Sequence, residues 1–287
     1  MDFRTDLALE RRELIKDFVP KGVESKTEDH GQVKITTITI KDKEGEQAIG
    51  KPIGTYITCE MPKLNESEEI TTEEIEAIAS KIKELIKDKS LVLVVGLGNH
   101  NITPDSLGPL ITDQILSTRH LGSVENMGGF NPVAAISPGV MGQTGIETGE
   151  IVASVVKEIK PSCVIVIDAL ASKSLDRLGS TIQISDTGIS PGSGVLNKRK
   201  EISKASLGVD VISIGVPTVV DGATMVAGVL QDAGAPEQNI SGKAAQMMVT
   251  PREIDIIIKR AVNLLSTSIN KALQPDLTIE NINSLVS

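Results

Sequence analysis

Short apolar runs alternate with longer amphipathic segments through the middle of the chain. Residues 91–95 are all leucine or valine, and such a continuous run is typical of a strand buried on both faces. Similar runs predict four further strands, at residues 133–136, 164–167, 181–184 and 211–214. Because helical patterns separate several of these runs, their order indicates a mostly parallel sheet covered by helices on both faces.

Three segments carry clear helix signals. Thr71 and Glu74 have the spacing of a capping box, and the apolar positions after them predict an amphipathic helix of about four turns. A second helix is predicted over residues 148–159. Near the C-terminus, Thr250 is followed by a proline and then by Glu253, a pattern that predicts the start of a last helix.

The first 60 residues have a different pattern. Residues 1–32 are polar and charged, and they predict an extended arm. Residues 33–40 and 55–59 look like strands, so a β-hairpin is expected beside the main core. The predicted fold is therefore α/β: three α/β/α layers around a mostly parallel central sheet, with an N-terminal β-hairpin extension.

Composition narrows the range of functions. The 287 residues include 29 Lys and Arg against 38 Asp and Glu, which gives a formal net charge of -9. The chain has no basic stripe for phosphates and too few aromatic residues for base stacking, so no direct nucleic-acid partner is expected. Two cysteines are too few for a disulfide scaffold. With no signal-like segment and no apolar run near the roughly 20 residues of a membrane span, a cytoplasmic protein without a membrane partner is expected.

Two aspartates follow predicted strands and are the candidates for chemistry. Asp105 comes after the loop that leaves the first buried strand, and Asp168 follows residues 164–167 directly. Ligands of open α/β sheets bind beyond the carboxyl ends of the strands, where both aspartates would lie. Each aspartate alone also fits a helix-capping role, and that alternative stays open. As a pair at one sheet edge, they favour a functional site.

Other signals around this edge are weaker. Gly96 and Gly98 follow a strand as in a dinucleotide-binding loop, but Asn101 replaces the third glycine, so nucleotide binding is not favoured. His100 is near the proposed site, yet one histidine does not make a metal centre, and neither a metal nor a cofactor is expected. The glycine-rich residues 186–206 fit a mobile flap and a solvated loop equally well.

Seven segments in fixed order resemble the germination protease (spore protease) family, and the resemblance covers nearly the whole chain. They begin with Phe-Arg-Thr-Asp-Leu-Ala at the N-terminus and include Gly-Val-Met-Gly-Gln-Thr-Gly-Ile-Glu-Thr in the middle. The segments are residues 3–8, 96–109, 139–148, 167–171, 191–195, 215–221 and 249–255.

The resemblance implies an endopeptidase that degrades small acid-soluble spore proteins when a spore germinates. It also implies an atypical aspartic-type protease whose two functional carboxylates are Asp105 and Asp168, a homotetramer, and a location in the forespore and spore core. The family is distantly similar to hydrogenase-maturation endopeptidases, which hold a metal between two carboxylates and a histidine. A metal-dependent maturation endopeptidase is therefore the alternative function, although no histidine occupies a suitable third position.

The family is made as a zymogen that trims its own N-terminus. Its substrate sites resemble Thr-Glu followed by an apolar residue and Ala, so self-cleavage is predicted between Asp6 and Leu7. Residues 1–6 would be the propeptide, and residues 7–287 a single protease domain.

In the predicted mechanism one carboxyl of the pair keeps its proton while the other activates water. The backbone of Gly96, Gly98 and Asn99 is a candidate oxyanion loop. Lys173 and Arg177, at helical distance from Asp168, fit either a charge-tuning role or a solvated helix face.

Overall fold

The structure is a computed structural model that describes residues 5–15, 19–62, 64, 69–88, 90–123, 129–190, 200–234, 243 and 247–286. The helices are Ala8–Glu13 (α1), Lys43–Ile49 (α2), Thr72–Leu85 (α3), Leu107–Thr112 (α4), Met141–Thr144 (α5), Thr148–Ile159 (α6), Lys204–Leu207 (α7), Gly222–Asp232 (α8), Ile254–Leu273 (α9) and Ile279–Val286 (α10). The strands are Val23–His30 (β1), Val33–Ile40 (β2), Gly54–Glu60 (β3), Val92–Gly96 (β4), Val133–Ile136 (β5), Cys163–Ser172 (β6), Thr181–Ser185 (β7), Asp210–Asp221 (β8) and Met248–Val249 (β9).

All these strands belong to one mixed sheet with the order β1-β2-β3-β7-β8-β6-β4-β5, and β9 pairs with β8 outside this path. The pairs β4–β5, β4–β6 and β6–β8 are parallel. The pairs that join β1, β2, β3, β7 and β8 are antiparallel. The α/β class predicted from the sequence is confirmed. The two strands expected as an N-terminal hairpin, β2 and β3, pair antiparallel and extend the same sheet, but helix α2 lies between them, so they are not joined by a hairpin turn. No helix in the described part of the chain combines the length and apolarity needed to cross a bilayer.

Helices cover both faces of the sheet, and the alternation of side chains along each strand fixes which face a residue meets. In β4, Val92 and Val94 pack with α3, α4 and α9 on one face. Leu93 and Val95 pack with α6 on the opposite face. Near the β1–β3 end of that opposite face, α1 and α2 bury a third, smaller cluster that includes Leu9. The helices of this face thus form two groups, and the sheet is less covered between them.

For residues 5–15 and 19–32, the described part of the segment, the expected extended arm is wrong. Leu7 and Ala8 are fully buried, and burial of this short apolar group against the sheet forms α1. The charged residues that follow form β1, which pairs along its whole length with β2 and exposes most of its side chains. A polar edge strand of this kind is compatible with sheet pairing, because one side of it faces solvent.

The structure confirms two predicted helix starts and corrects a third. The capping box is present, with the Glu74 amide donating to Thr71 Oγ1 over 3.2 Å and the Thr71 amide donating to Glu74 Oε2 over 2.7 Å. Helix α6 has the predicted bounds. Thr250 does not cap α9, which begins at Ile254, because the Thr250 hydroxyl donates to the carbonyl oxygen of Thr218 over 2.8 Å.

Candidate active site

A cavity of about 490 Å³ lies over the part of the sheet that the two helix groups leave uncovered. Polar side chains of three adjacent strands form its floor, and each has beside it in the strand an isoleucine that belongs to the core of the opposite face. The polar floor residues are Asp168 of β6, Gln183 and Ser185 of β7, and Ser213 of β8. The walls include Asp6, Lys51, Tyr56, Asp105, Val140 and Thr148.

The register of the sheet places Gln183 and Asp168 in one row. Gln183 is opposite Gly215, and Gly215 is opposite Asp168. The two outer residues are therefore two strand spacings apart, about 10 Å between Cα atoms. A Cβ at Gly215 would lie 2.5 Å from Leu170 Cγ, so the glycine makes room for this side chain. Sequence reasoning missed Gln183, although the alternation Ile-Gln-Ile-Ser in β7 was a usable signal.

Asp168 occupies a different local structure from the one predicted. The sequence placed it at the end of a strand, but β6 continues to Ser172 and pairs with β8 throughout, with an irregularity after Leu170. Asp168 is 7% exposed, and its Oδ1 accepts a hydrogen bond of 2.9 Å from the amide of Ala169. Side chains alternate between the two faces along a strand, so the Asp168 side chain lies on the same face as those of Val164 and Val166. This is the face that carries the cavity.

Asp105 reaches the same cavity from the loop after β4. It ends a short 3-10 turn, Thr103–Asp105, and the adjoining Pro104 carbonyl accepts a bond of 2.8 Å from Thr218 Oγ1 of β8. Gly98 has a φ of 116°, and a Cβ there would lie 2.0 Å from the carbonyl oxygen of Asp105. Only glycine allows the loop to pass this closely. The structure thus brings Asp105 and Asp168 to one cavity.

The oxyanion role expected for the glycine loop does not fit two of its three residues. The Asn99 amide donates to Asp105, at 2.9 Å to Oδ2 and 3.1 Å to the carbonyl oxygen, so it orients the carboxylate. Gly96 lies inside β4 against Gly108 and Thr112, and it is not among the described residues that line the cavity. Gly98 does line the cavity.

The helical position expected for Lys173 and Arg177 is also wrong, because β6 continues past Asp168 and Arg177 ends a 3-10 turn. Arg177 forms ion pairs with three glutamates: Glu13 at 2.6 Å, Glu10 at 3.4 Å and Glu60 at 3.4 Å. The guanidinium therefore connects α1 to the sheet.

The N-terminal segment with the predicted self-cleavage bond lies against the cavity. The Asp6 amide donates to the carbonyl oxygen of Ala171 over 2.9 Å, and the Ala171 amide donates to Asp6 Oδ2 over 2.9 Å. The carbonyl oxygen of Asp6 accepts bonds from Lys51 Nζ at 2.9 Å and from Gln183 Nε2 at 3.0 Å. Asp6 therefore touches β6 and β7 together and crosses over β8, which separates them. Leu7 itself is fully buried.

Lys51 reaches this carbonyl because of the way in which α2 ends. Helix α2 begins at its N-cap Asp42, which accepts a bond of 2.9 Å from the Gly45 amide. It ends at Gly50, whose φ of 70° is left-handed. The chain then turns Lys51 toward the cavity. Burial lowers the pKa of the Lys51 ammonium, the nearby Asp6 carboxylate opposes this shift, and Arg11 adds to it.

Glu10 connects the N-terminal segment to the end of β6. It is 2% exposed, and its carboxylate accepts hydrogen bonds from Ser172 Oγ at 2.8 Å, from the Lys173 amide at 2.7 Å and from the Ser174 amide at 3.0 Å. The hydroxyl of Thr5 also donates to it. The end of β6, the strand that carries Asp168, is thus joined directly to the N-terminal helix.

Two other predictions from the sequence concern this cavity, namely the metal-dependent alternative and the glycine-rich flap or loop. Within the described ranges, no three side chains of His, Cys, Asp or Glu come together as metal ligands, and His100 is exposed. The middle of the predicted flap or loop, residues 191–199, lies outside the described residues. Its flanks are joined by an Ile189–Ile202 bridge with two bonds of 2.9 Å, and Ser190 and Glu201 line the cavity.

Comparison with known proteins identifies the family to which the chain is similar. Residues 5–232 match the sequence model of the germination protease family. The germination protease of Caldanaerobacter subterraneus subsp. tengcongensis is 45% identical over 320 aligned positions, which cover 100% of this chain and 98% of the relative. The germination protease of Clostridium tetani is 42% identical, with 100% of each chain covered.

Among solved structures, the chain is similar to the [NiFe] hydrogenase maturation protease HycI from Thermococcus kodakarensis KOD1. The TM-score is 0.36 and the identity 16%, over 66% of this chain and 98% of that one. A likeness of this size carries no argument about function.

The matched family is a family of peptidases, so the protein is a protease. The chain belongs to the germination protease family, and the resemblance seen in the sequence is confirmed.

Proposed function

We propose that the protein is an aspartate-dependent endopeptidase that cuts small acid-soluble spore proteins during germination, with Asp105 and Asp168 activating the attacking water. One observation carries the proposal: both aspartates line a single cavity together with Asp6, the residue before the predicted self-cleavage bond. Membership of the germination protease family supports the substrate class. The family resemblance also supports a homotetramer that acts in the forespore and spore core.

The chemistry follows from two carboxyl groups that share one site. In this mechanism one carboxyl of the pair carries a proton and the other is ionised, as in other paired-carboxylate sites. The ionised carboxylate takes a proton from water as the oxygen attacks the peptide carbonyl carbon, and the protonated one hydrogen-bonds the carbonyl oxygen. The proton then passes to the leaving nitrogen as the C–N bond breaks. The amide of Asn99 fixes the Asp105 carboxylate for this role.

Self-processing uses the same cavity. Cleavage between Asp6 and Leu7 would release residues 1–6 and leave α1 packed against α2 and the sheet. The part of the cavity that Asp6 occupies would then be vacant for a substrate. Because Asp6 is acidic, this part of the cavity fits the acidic residue that precedes the cut in the sites expected for the family.

The test substitutes each aspartate by the isosteric amide. Asp105→Asn and Asp168→Asn are expected to fold normally and to lose cleavage at least 100-fold, because neither amide can act as acid or base. The measurements are the rate at which purified full-length protein yields a product that begins at Leu7, and the cleavage of a purified small acid-soluble spore protein. Asp113→Asn is the matched control, since Asp113 is exposed at the end of α4.

Near-normal cleavage by either aspartate variant would overturn the paired-carboxylate mechanism. The metal-dependent alternative predicts instead that a strong chelator stops cleavage by the unaltered protein and that added metal restores it. The described residues offer no third ligand beside the two carboxylates, so we expect cleavage to continue in the chelator.

A further inference from the structure

We propose that Lys51 Nζ and Gln183 Nε2 form the oxyanion site of this protease and hold the carbonyl oxygen of the peptide bond that is cut. The inference deepens the proposed function and rests on it. It assigns the oxyanion role, which the proposed mechanism gives to the protonated aspartate and the sequence analysis gave to the loop after β4, to two side chains that are 132 positions apart in the sequence. These two residues meet only because the sheet brings β7 beside β3 and the end of α2.

The geometry at Asp6 is the first support. Its carbonyl oxygen accepts two side-chain donors, at 2.9 Å from Lys51 and 3.0 Å from Gln183. Two converging donors at about 2.7–3.1 Å are the arrangement that stabilises the negative oxygen of a tetrahedral intermediate. The oxygen that they hold belongs to the Asp6–Leu7 peptide bond, which the family resemblance predicts to be the self-cleavage bond.

Gln183 also fixes the position of the bond along the segment. While its Nε2 donates to the Asp6 carbonyl, its Oε1 accepts a bond of 2.7 Å from the Ala8 amide. One side-chain amide thus forms hydrogen bonds with the backbone on both sides of Leu7. Such a contact recognises main chain rather than a particular side chain, so it can serve any peptide of the same conformation.

Lys51 supplies the charge that the site needs. Its Nζ contacts the Asp6 carbonyl oxygen, and the Asp6 carboxylate nearby favours the protonated ammonium against the effect of burial, which lowers the pKa of Lys51. Asp168 lies in the same row of the sheet as Gln183, with Gly215 between them. Water activated at the aspartate and a carbonyl held at the other end of the row therefore share one cavity.

The step is an ordinary hydrolysis. Water oxygen bonds to the Asp6 carbonyl carbon, the electron pair of the C=O bond moves to the oxygen between Lys51 and Gln183, and an aspartate takes the proton of water. The intermediate then expels the Leu7 nitrogen, which receives that proton. The products are a new C-terminal carboxyl group on Asp6, which keeps the second proton of water, and a free amine on Leu7.

The experiment compares self-processing and peptide cleavage in Lys51→Met, Gln183→Leu and the unaltered full-length chain. The peptide is a synthetic copy of residues 3–12, and kcat and KM are measured separately with mass spectrometry as the readout. Loss of one oxyanion donor is expected to lower kcat about 100- to 1,000-fold with little change in KM. Lys51→Arg keeps a charged donor and is expected to recover part of the loss.

The controls are Lys43→Met and Gln47→Leu, which make the same changes at exposed positions on α2. Thermal unfolding of every variant shows whether the fold is kept. Gln183→Glu adds a second test at this position, because it keeps the acceptor for Ala8 but loses the donor to Asp6. A loss of kcat in Gln183→Glu without a fall in unfolding temperature is the expected result.

Three results would overturn the inference and leave the proposed function intact. The first is near-normal kcat in Lys51→Met, the second is a rise in KM alone, and the third is faster processing in the variants, which indicates a purely restraining contact. If the unaltered protein produces nothing that begins at Leu7 and does not cut the peptide, the proposed cleavage site fails instead.

Discussion

Removal of the Glu10 carboxylate is expected to loosen the N-terminal helix from the strand that carries Asp168. In Glu10→Ala, a hydroxyl and two backbone amides at Ser172, Lys173 and Ser174 lose a charged acceptor in a buried setting. Each lost bond costs about 1 kcal/mol net. Arg177 is not left as an isolated buried charge, because Glu13 and Glu60 still pair with it. The free energy of unfolding should therefore fall by about 2–4 kcal/mol.

The matched control is Glu13→Ala, on the same helix and paired with the same arginine. The Glu13 side chain is 52% exposed, so its ion pair should contribute no more than about 1 kcal/mol. Urea unfolding at fixed protein concentration measures the free energy of unfolding of both variants. The dependence of this free energy on urea concentration should be the same in each, which checks that both unfold in the same way. If Glu10→Ala costs no more than Glu13→Ala, the anchoring role assigned to the buried carboxylate is wrong.

Two further predictions concern packing. Gly108→Ala should destabilise the fold by about 1–3 kcal/mol and reduce cleavage, because its Cβ would lie 2.3 Å from the Leu97 carbonyl oxygen and push α4 off the sheet. The control is Gly142→Ala, since Gly142 has open space around it. Equal unfolding midpoints for the two variants would contradict the argument. Cys59 and Cys163 are buried, and desolvation raises the pKa of each thiol to about 12. A thiol reagent should therefore label neither cysteine in the native protein and both after denaturation. Labelling before unfolding would refute this prediction.

The sequence predicted the central elements well because their signals are local. Strand β5 and helix α6 have the predicted bounds, since an apolar run or an amphipathic period decides each of them. Helix α1 was missed because it has six residues and forms only when its apolar group is buried against a distant sheet. The extension of β6 past Asp168 was missed for a related reason. A charged residue inside a strand is tolerated there because the cavity meets that face.

The candidate site divides in the same way. Asp105 and Asp168 could be proposed from the sequence because each follows an apolar run that predicts a strand, and ligands bind beyond the carboxyl ends of parallel strands. Lys51 and Gln183 carry no such mark: they reach Asp6 across separations of 45 and 177 positions. Such contacts depend on the strand order, which local patterns do not determine. The order β3-β7-β8-β6 is what places them in the same cavity as the carboxylates.

The uncovered part of the sheet explains why a site exists here at all. On the opposite face, isoleucines of β7 and β8 pack under α9, and the core is continuous. On this face, the alternate positions of the same strands are Gln183, Ser185, Ser213 and Gly215, which are too polar or too small to hold a helix by apolar packing. The same residues that leave the floor uncovered supply hydrogen-bonding groups to whatever lies on it. In this structure the segment on that floor is the N-terminal segment around Asp6, which is held through its backbone. A backbone held in this way is what a protease with many substrates needs to recognise.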